Sequence, residues 1–172
     1  MDKIKAISIS KLLTFEFIIY LASFAIPFSL TGPQILVGSL VNALLFCASL
    51  KLDKKNLILV TVLPSLAAFS RGLIFGPATL FLFYFLPFIW AGNFISALIF
   101  QQKTISIPLV RIILASIVKA SFLYLVAQIY FAFHIVPKIF VTSMGIIQLV
   151  TALIGGLITL LISRKELENE NF

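Results

Sequence analysis

The sequence predicts an all-α, polytopic membrane protein: one bundle of six transmembrane helices with both termini cytoplasmic. Three observations predict it. The first is composition: the 172 residues are 61% hydrophobic and 11% charged, with mean hydropathy +1.16, where a soluble domain runs near 45–50% apolar and about 25% charged. So little charge cannot cover a water-facing surface, which excludes a soluble enzyme, a disordered chain and a disulfide-stapled secreted module. The second is the recurrence of long apolar runs, since six spans of about 20 residues use roughly 120 positions and leave short connectors. The third is the one-sided placement of lysine and arginine described below.

Each span follows from an apolar run and the residues that stop it. The first covers about Leu12 to Leu30 and ends at Thr31-Gly32-Pro33. The second covers Pro33 to about Leu50 and stops at Lys51-Leu52-Asp53-Lys54-Lys55-Asn56. The third starts at Leu57 and is expected to end near Ser70-Arg71-Gly72, with the helix-breaking stretch Gly72 to Pro77 dipping back into the membrane. The fourth covers about Ala78 to Phe100 and carries Pro87, and Gln101-Gln102-Lys103-Thr104 closes it. The fifth covers Ile107 to Phe133, with His134 to Lys138 as a turn. The sixth covers Ile139 to Ser163, and residues 164–172 form a charged cytoplasmic tail. No linker or second domain interrupts the series.

Orientation follows from the cations. Lys3, Lys5, Lys11, Lys51, Lys54, Lys55, Lys103, Arg111, Arg164 and Lys165 fall on one side, Arg71 and Lys138 on the other, and Lys119 lies mid-span. The excess marks the cytoplasmic side of a cell membrane and contact with anionic lipids, not nucleic acid. Lys3, Lys5 and Lys11 before an apolar run also have the outline of a secretory signal. Glu16 interrupts that run, which is longer than a usual signal core, so the segment reads as a retained span.

An internal repeat is visible. Pro33, Gly38, Ala43, Leu44 and Phe46 recur without gaps at Pro87, Gly92, Ala97, Leu98 and Phe100. Two readings stand: a parallel repeat of the kind found in some carriers, or coincidence between two apolar strings.

Polar side chains in hydrocarbon are costly, so each is a candidate for function. At about 1.5 Å per residue, Asn42 and Gln148 lie roughly 14 Å below the outer face and Lys119 roughly 18 Å above the inner one. All three therefore fall near the middle of a core about 30 Å thick. Asn93 lies deeper toward the cytoplasm. Lys119 either snorkels or reaches Glu16 or helix-end carbonyls, or it awaits the negative group of a ligand. Arg71 forks onto a carboxylate or phosphate, or sits among lipid headgroups. Asn42, Asn93 and Gln148 either glue helices together or join a site.

His134 and Cys47 are the single histidine and cysteine, so metal-ligand spacing is absent and no metal or other cofactor is expected. No carboxylate pair, Ser/His/Asp set or phosphate-binding glycine loop is present, so no catalysis is expected either. Phe75, Phe81, Phe83, Tyr84, Phe85, Phe88 and Trp90 crowd the turn before the fourth span and its outer half. They read as an interfacial belt or as a wall for a planar ligand.

Thr31-Gly32-Pro33 followed by Val41-Asn42-Ala43-Leu44-Leu45 is similar to the substrate-binding S components of energy-coupling factor (ECF) transporters. So are Leu86-Pro87-Phe88-Ile89-Trp90-Ala91-Gly92-Asn93, Arg111 through Lys119-Ala120, and the stretch from Gln148 to Gly156. The resemblance touches five of the six spans and rests on order and spacing. It implies a membrane subunit that captures a vitamin or other micronutrient from outside. That subunit would dock on a transmembrane coupling subunit carrying two cytoplasmic ATPases. Family pockets lie at the outer loops, here Thr31 to Gln34, Arg71 to Pro77 and His134 to Lys138. Docking in the family uses an Ala-x-x-x-Ala stripe on the first helix; Ala6, Ser10 and Thr14 stand at that spacing, with Ser10 departing from alanine. The expected pocket residues are Asn42, Arg71, Lys119, Gln148 and Asn93. Two rivals stand beside this reading: a structural scaffold of the MreD type, and a small homodimeric secondary carrier.

Overall fold

The computed structural model describes residues 2–30, 32–75 and 81–163, with side chains over 14–30, 32–73 and 81–163. Within them the chain is all helix: α1 Asp2–Ser29, α2 Gln34–Lys51, α3 Lys54–Phe75, α4 Leu82–Phe100, α5 Pro108–Ala132, α6 Ile139–Met144 and α7 Ile146–Ile162. Helices α2, α3, α4 and α5, and the stretch Ile139–Ile162, are long and apolar enough to cross a membrane. The apolar part of α1 found among the described side chains is Thr14–Ser29. The protein is a helical membrane bundle.

The faces explain why. On α5, Arg111, Ala115, Ser116, Lys119, Ala120 and Leu123 are buried, while Ile113, Leu114, Ile117 and Leu125 are exposed. The buried positions recur at three and four residues, one face of a helix. In water that pattern would be inverted, with polar residues outside. Here the apolar outer face meets lipid, and small and polar residues fill the interior, where they allow close helix approach.

Helix α2 packs on α7, α4 on α5, α1 on α3, and α5 also on α7. At the α2–α7 seam backbone approaches backbone. A Cβ placed on Gly155 would come to 2.6 Å from the Asn42 Cβ, and to 2.7 Å from both the Ala43 nitrogen and the Ser39 oxygen. The Thr159 hydroxyl sits across the same seam, 3.2 Å from the Ala43 oxygen and 3.0 Å from the Gly155 oxygen. The Cys47 thiol lies against it at 3.6 Å.

Three features depart from expectation. Helix α3 continues through Ser70, Arg71 and Gly72 to Phe75 instead of ending there. One charge does not stop it, because the Arg71 guanidinium donates to the Leu30 oxygen at 2.5 Å and so satisfies an orphan carbonyl at the end of α1. The re-entrant dip expected over Gly72 to Pro77 is therefore helical through Phe75, and residues 76–80 lie outside the described ones. Second, the sixth span is broken at Gly145, which has φ −96 and ψ −100 and separates α6 from α7. A Cβ at Gly145 would stand 2.8 Å from Tyr124 Cδ2 and 2.9 Å from the Val141 oxygen, so a glycine lets α5 approach the break. Third, α1 begins well before the apolar run.

The single histidine has a structural place. His134 takes φ 57 directly after α5. Its N–H donates to the Phe131 oxygen at 2.9 Å, and the Ile135 N–H to the Tyr130 oxygen at 2.9 Å. That pair of bonds is the Schellman closure of a helix C-terminus.

The internal repeat has matching surroundings at its lower end. Phe46 and Phe100 are both fully buried and their ring centroids lie 4.9 Å apart. Gly38 makes room for Thr151 on α7, while Gly92 faces the Lys119 stem on α5 at ordinary contact distance. The upper ends differ: Pro33 precedes α2, whereas Pro87 lies inside α4.

Candidate functional site

Asn42 on α2, Lys119 on α5 and Thr151 on α7 are 2%, 3% and 2% exposed. The structure brings them together in one chain of hydrogen bonds. The Lys119 ammonium donates to Asn42 Oδ1 at 2.6 Å. Asn42 Nδ2 then donates to the Gly38 oxygen at 2.8 Å and to Thr151 Oγ1 at 3.3 Å. The Thr151 hydroxyl donates to the Gln148 oxygen at 3.1 Å. Every donor in the chain points away from Lys119, so the amide orientation follows from its partners: only Oδ1 can face an ammonium.

Local sequence explains the placement. The Lys119 stem passes Gly92, where an added Cβ would lie 3.6 Å from Lys119 Cγ. Asn42 and Thr151 sit beside the Gly155 and Gly38 contacts, which bring α2 and α7 close enough for side chains of this length to meet. Depth along each helix was legible from residue counts. The rotation that turns Asn42 toward both α5 and α7 was not.

An ammonium has three N–H groups, and Asn42 takes one. Among the described residues Lys119 has no other hydrogen bond and no ion pair. Glu16, the carboxylate considered for it, accepts instead from Asn56 Nδ2 at 2.9 Å. One turn earlier on α5, Ser116 Oγ is fully buried and has no hydrogen-bond partner among the described residues. Gln148 is half-buried one turn outward of Thr151 on the same helix face.

The remaining candidates lie elsewhere. Asn93 Nδ2 donates to the Thr61 oxygen at 3.0 Å and ties α4 to α3. The Trp90 indole donates to Ser65 Oγ at 2.7 Å across the same pair of helices. Arg71 caps α1, as described, and is not joined to the Lys119 chain. Ala6 and Ser10 carry side chains outside the described residues, and Thr14 is exposed. Thr151 and Ser116 were not singled out from the sequence. Thr151 could have been found as the hydroxyl residue one turn below Gln148 in a stripe of small residues.

The outer aromatics are mostly packed on one another. Phe85 is fully buried, stacks on Phe140 at 5.6 Å and meets Tyr130 edge-on at 5.3 Å. Phe69, Phe81, Phe83 and Tyr84 line an open cleft of about 300 Å³. A second cleft, of about 480 Å³, opens at the other end of the bundle between the α2–α3 and α4–α5 turns.

Chemically, the Lys119 chain offers a buried amine oriented by an amide, with further donor capacity. Among the described residues no three His, Cys, Asp or Glu side chains gather as a metal would require. The chain matches no protein-family model, no curated protein and no solved structure.

Proposed function

We propose that this protein is the solute-binding subunit of an ECF-type transporter, capturing a vitamin or other micronutrient that carries an anionic group. The observation that carries the reading is Lys119. Its ammonium is buried, held by a neutral amide, and without a carboxylate among the described residues. A lone cation in an apolar bundle is costly, and an anionic solute offsets that cost. Asn42 orients the ammonium, Thr151 fixes the amide, and Gln148 lies on the outer side of the group.

Both termini face the cytoplasm in this reading, and the solute enters from the opposite side of the cell membrane. The exposed bond from Gln34 Nε2 to the Ser143 oxygen, 3.3 Å, links the start of α2 to α6 just above the Gly145 break. Its release would let α6 swing from α2 and open a path toward Gln148. The subunit performs no chemistry. Reorientation and release are driven by ATP hydrolysis in two partner ATPases acting through a coupling subunit.

A second reading is favoured by the other interior polar contacts. Asn93 to Thr61, Trp90 to Ser65 and Gln101 to Ser49 all brace helices, as a structural scaffold of the MreD type would need. Heating the detergent-purified protein with a panel of anionic and neutral vitamins separates the two. A bound solute at a hundred times its Kd stabilises by about 2.7 kcal/mol, a rise in Tm of roughly 5–10 °C for a chain of this size. The expected result is such a rise with an anionic member and none with its neutral amide or ester. No shift across the panel, with a filament protein retained on pull-down, supports the scaffold instead.

A further inference from the structure

The cleft at the lysine-rich end of the bundle lies far along the chain's helices from Lys119 and has a chemistry of its own. It opens between the turn joining α2 to α3 and the turn joining α4 to α5. Lys51 is the last residue of α2 and Lys54 the first of α3, while Gln101 directly follows α4. The cleft therefore sits where helices leave the hydrocarbon, at the level of lipid phosphates.

Its walls are built for an anion. Lys51, Lys54, Lys103 and Arg111 line it, and among the described lining residues Asp53 is the one carboxylate. The Asp53 carboxylate is turned to the start of α3, where Oδ1 accepts the Asn56 N–H at 2.9 Å as an N-terminal cap. Helix C-termini would ordinarily present carbonyl oxygens that repel an anion. Here Gln101 Nε2 donates to the Ser49 and Leu52 oxygens, at 2.9 and 3.1 Å, and covers two of them. Arg111 is 1% exposed, and its Nε–H donates to the Ile105 oxygen at 2.6 Å, which fixes the guanidinium plane in the wall. Lys51 is positioned as well, with its ammonium 4.8 Å from the centre of the Phe15 ring.

A buried, pinned guanidinium beside several lysines is more than the loose basic fringe that sets topology. Arginine presents a planar fork that matches phosphate oxygens, and lysine adds point charge. A volume of about 480 Å³ holds a phosphate ester with its glycerol. The geometry points to a phosphate-binding site in this cleft, filled by the headgroup of an anionic phospholipid from the adjoining leaflet. Free phosphate shares the same chemistry, and the level of the cleft at the membrane boundary favours the lipid.

Native mass spectrometry of the detergent-purified full chain, incubated with phosphatidylglycerol or phosphatidylcholine, tests the site. The wild type is expected to retain phosphatidylglycerol selectively. Lys54 and Lys103 are exposed, so the double variant Lys54→Gln, Lys103→Gln keeps its fold, checked by elution and Tm, and should retain about tenfold less or weaker still. Lys138→Gln, at the opposite end, should retain as much as the wild type. Protection from heat by millimolar inorganic phosphate, with no phosphatidylglycerol retained, keeps the phosphate site and assigns it to a soluble source. Equal retention by the double variant and the wild type, or equal retention of both lipids, overturns the site.

Discussion

Replacing Asn42 by aspartate should stabilise the protein and abolish its response to solute. The substitution keeps the shape of the side chain and puts a carboxylate 2.6 Å from the Lys119 ammonium, where an amide oxygen now sits. Two unit charges at about 4 Å attract by roughly 4 kcal/mol at an effective dielectric near 20. Desolvating the new ion subtracts from that gain, and the carboxylate also loses the donor that Asn42 gives to Gly38 and Thr151. The balance is a Tm a few degrees higher. The binding consequence is larger, since an internal anion occupies the cation that a solute would need. Thermal melts of Asn42→Asp, with and without the solute that shifts the wild type, check both parts. A variant that still responds fully would show that the anionic group binds elsewhere.

Gly155→Ala is expected to destabilise far more than a single methyl group suggests. Its Cβ would stand 2.7 Å from two backbone atoms of α2, the Ala43 nitrogen and the Ser39 oxygen, and backbone cannot rotate aside. Overpacking of this kind costs about 1–3 kcal/mol or more, a fall in Tm of about 2–4 °C per kcal/mol. Pushing α7 from α2 also parts Asn42 from Thr151, so solute affinity should fall with stability. Gly92→Ala is the companion measurement. There the nearest atoms lie at 3.5–3.6 Å, ordinary contact distances, so its Tm should stay near the wild-type value.

The membrane bundle was legible because hydrocarbon imposes a simple rule on composition and run length. Helix order was legible for the same reason, and Asn42 and Lys119 could be placed at similar depth by counting. Their pairing could not, because it depends on how α2 and α5 are rotated about their axes. That rotation is set by the close contacts of Gly155 and Gly38 between α2 and α7, and of Gly156 against Ile112 of α5. Arg71 illustrates the opposite case. Its charge suggested a helix end or a ligand, but its partner is the Leu30 carbonyl, which becomes predictable only once α1 and α3 are known to lie side by side. The break at Gly145 left no local signal either, since a single glycine in an apolar run is common in membrane helices. Glu16 is the acid that the sequence offers Lys119, and the adjacency of α1 and α3 gives it to Asn56 instead.

The central claim is that the buried Lys119 ammonium is the anchor for an anionic solute, and Lys119→Met tests it most directly. Methionine keeps an unbranched apolar stem against Gly92 and removes the charge together with the hydrogen bond to Asn42 Oδ1. Thermal melts of wild type and variant with the same anionic solute are expected to show a shift in the wild type alone, with the variant folded and near its own unliganded Tm. An undiminished solute shift in Lys119→Met, or collapse of the variant's fold, would contradict the assignment.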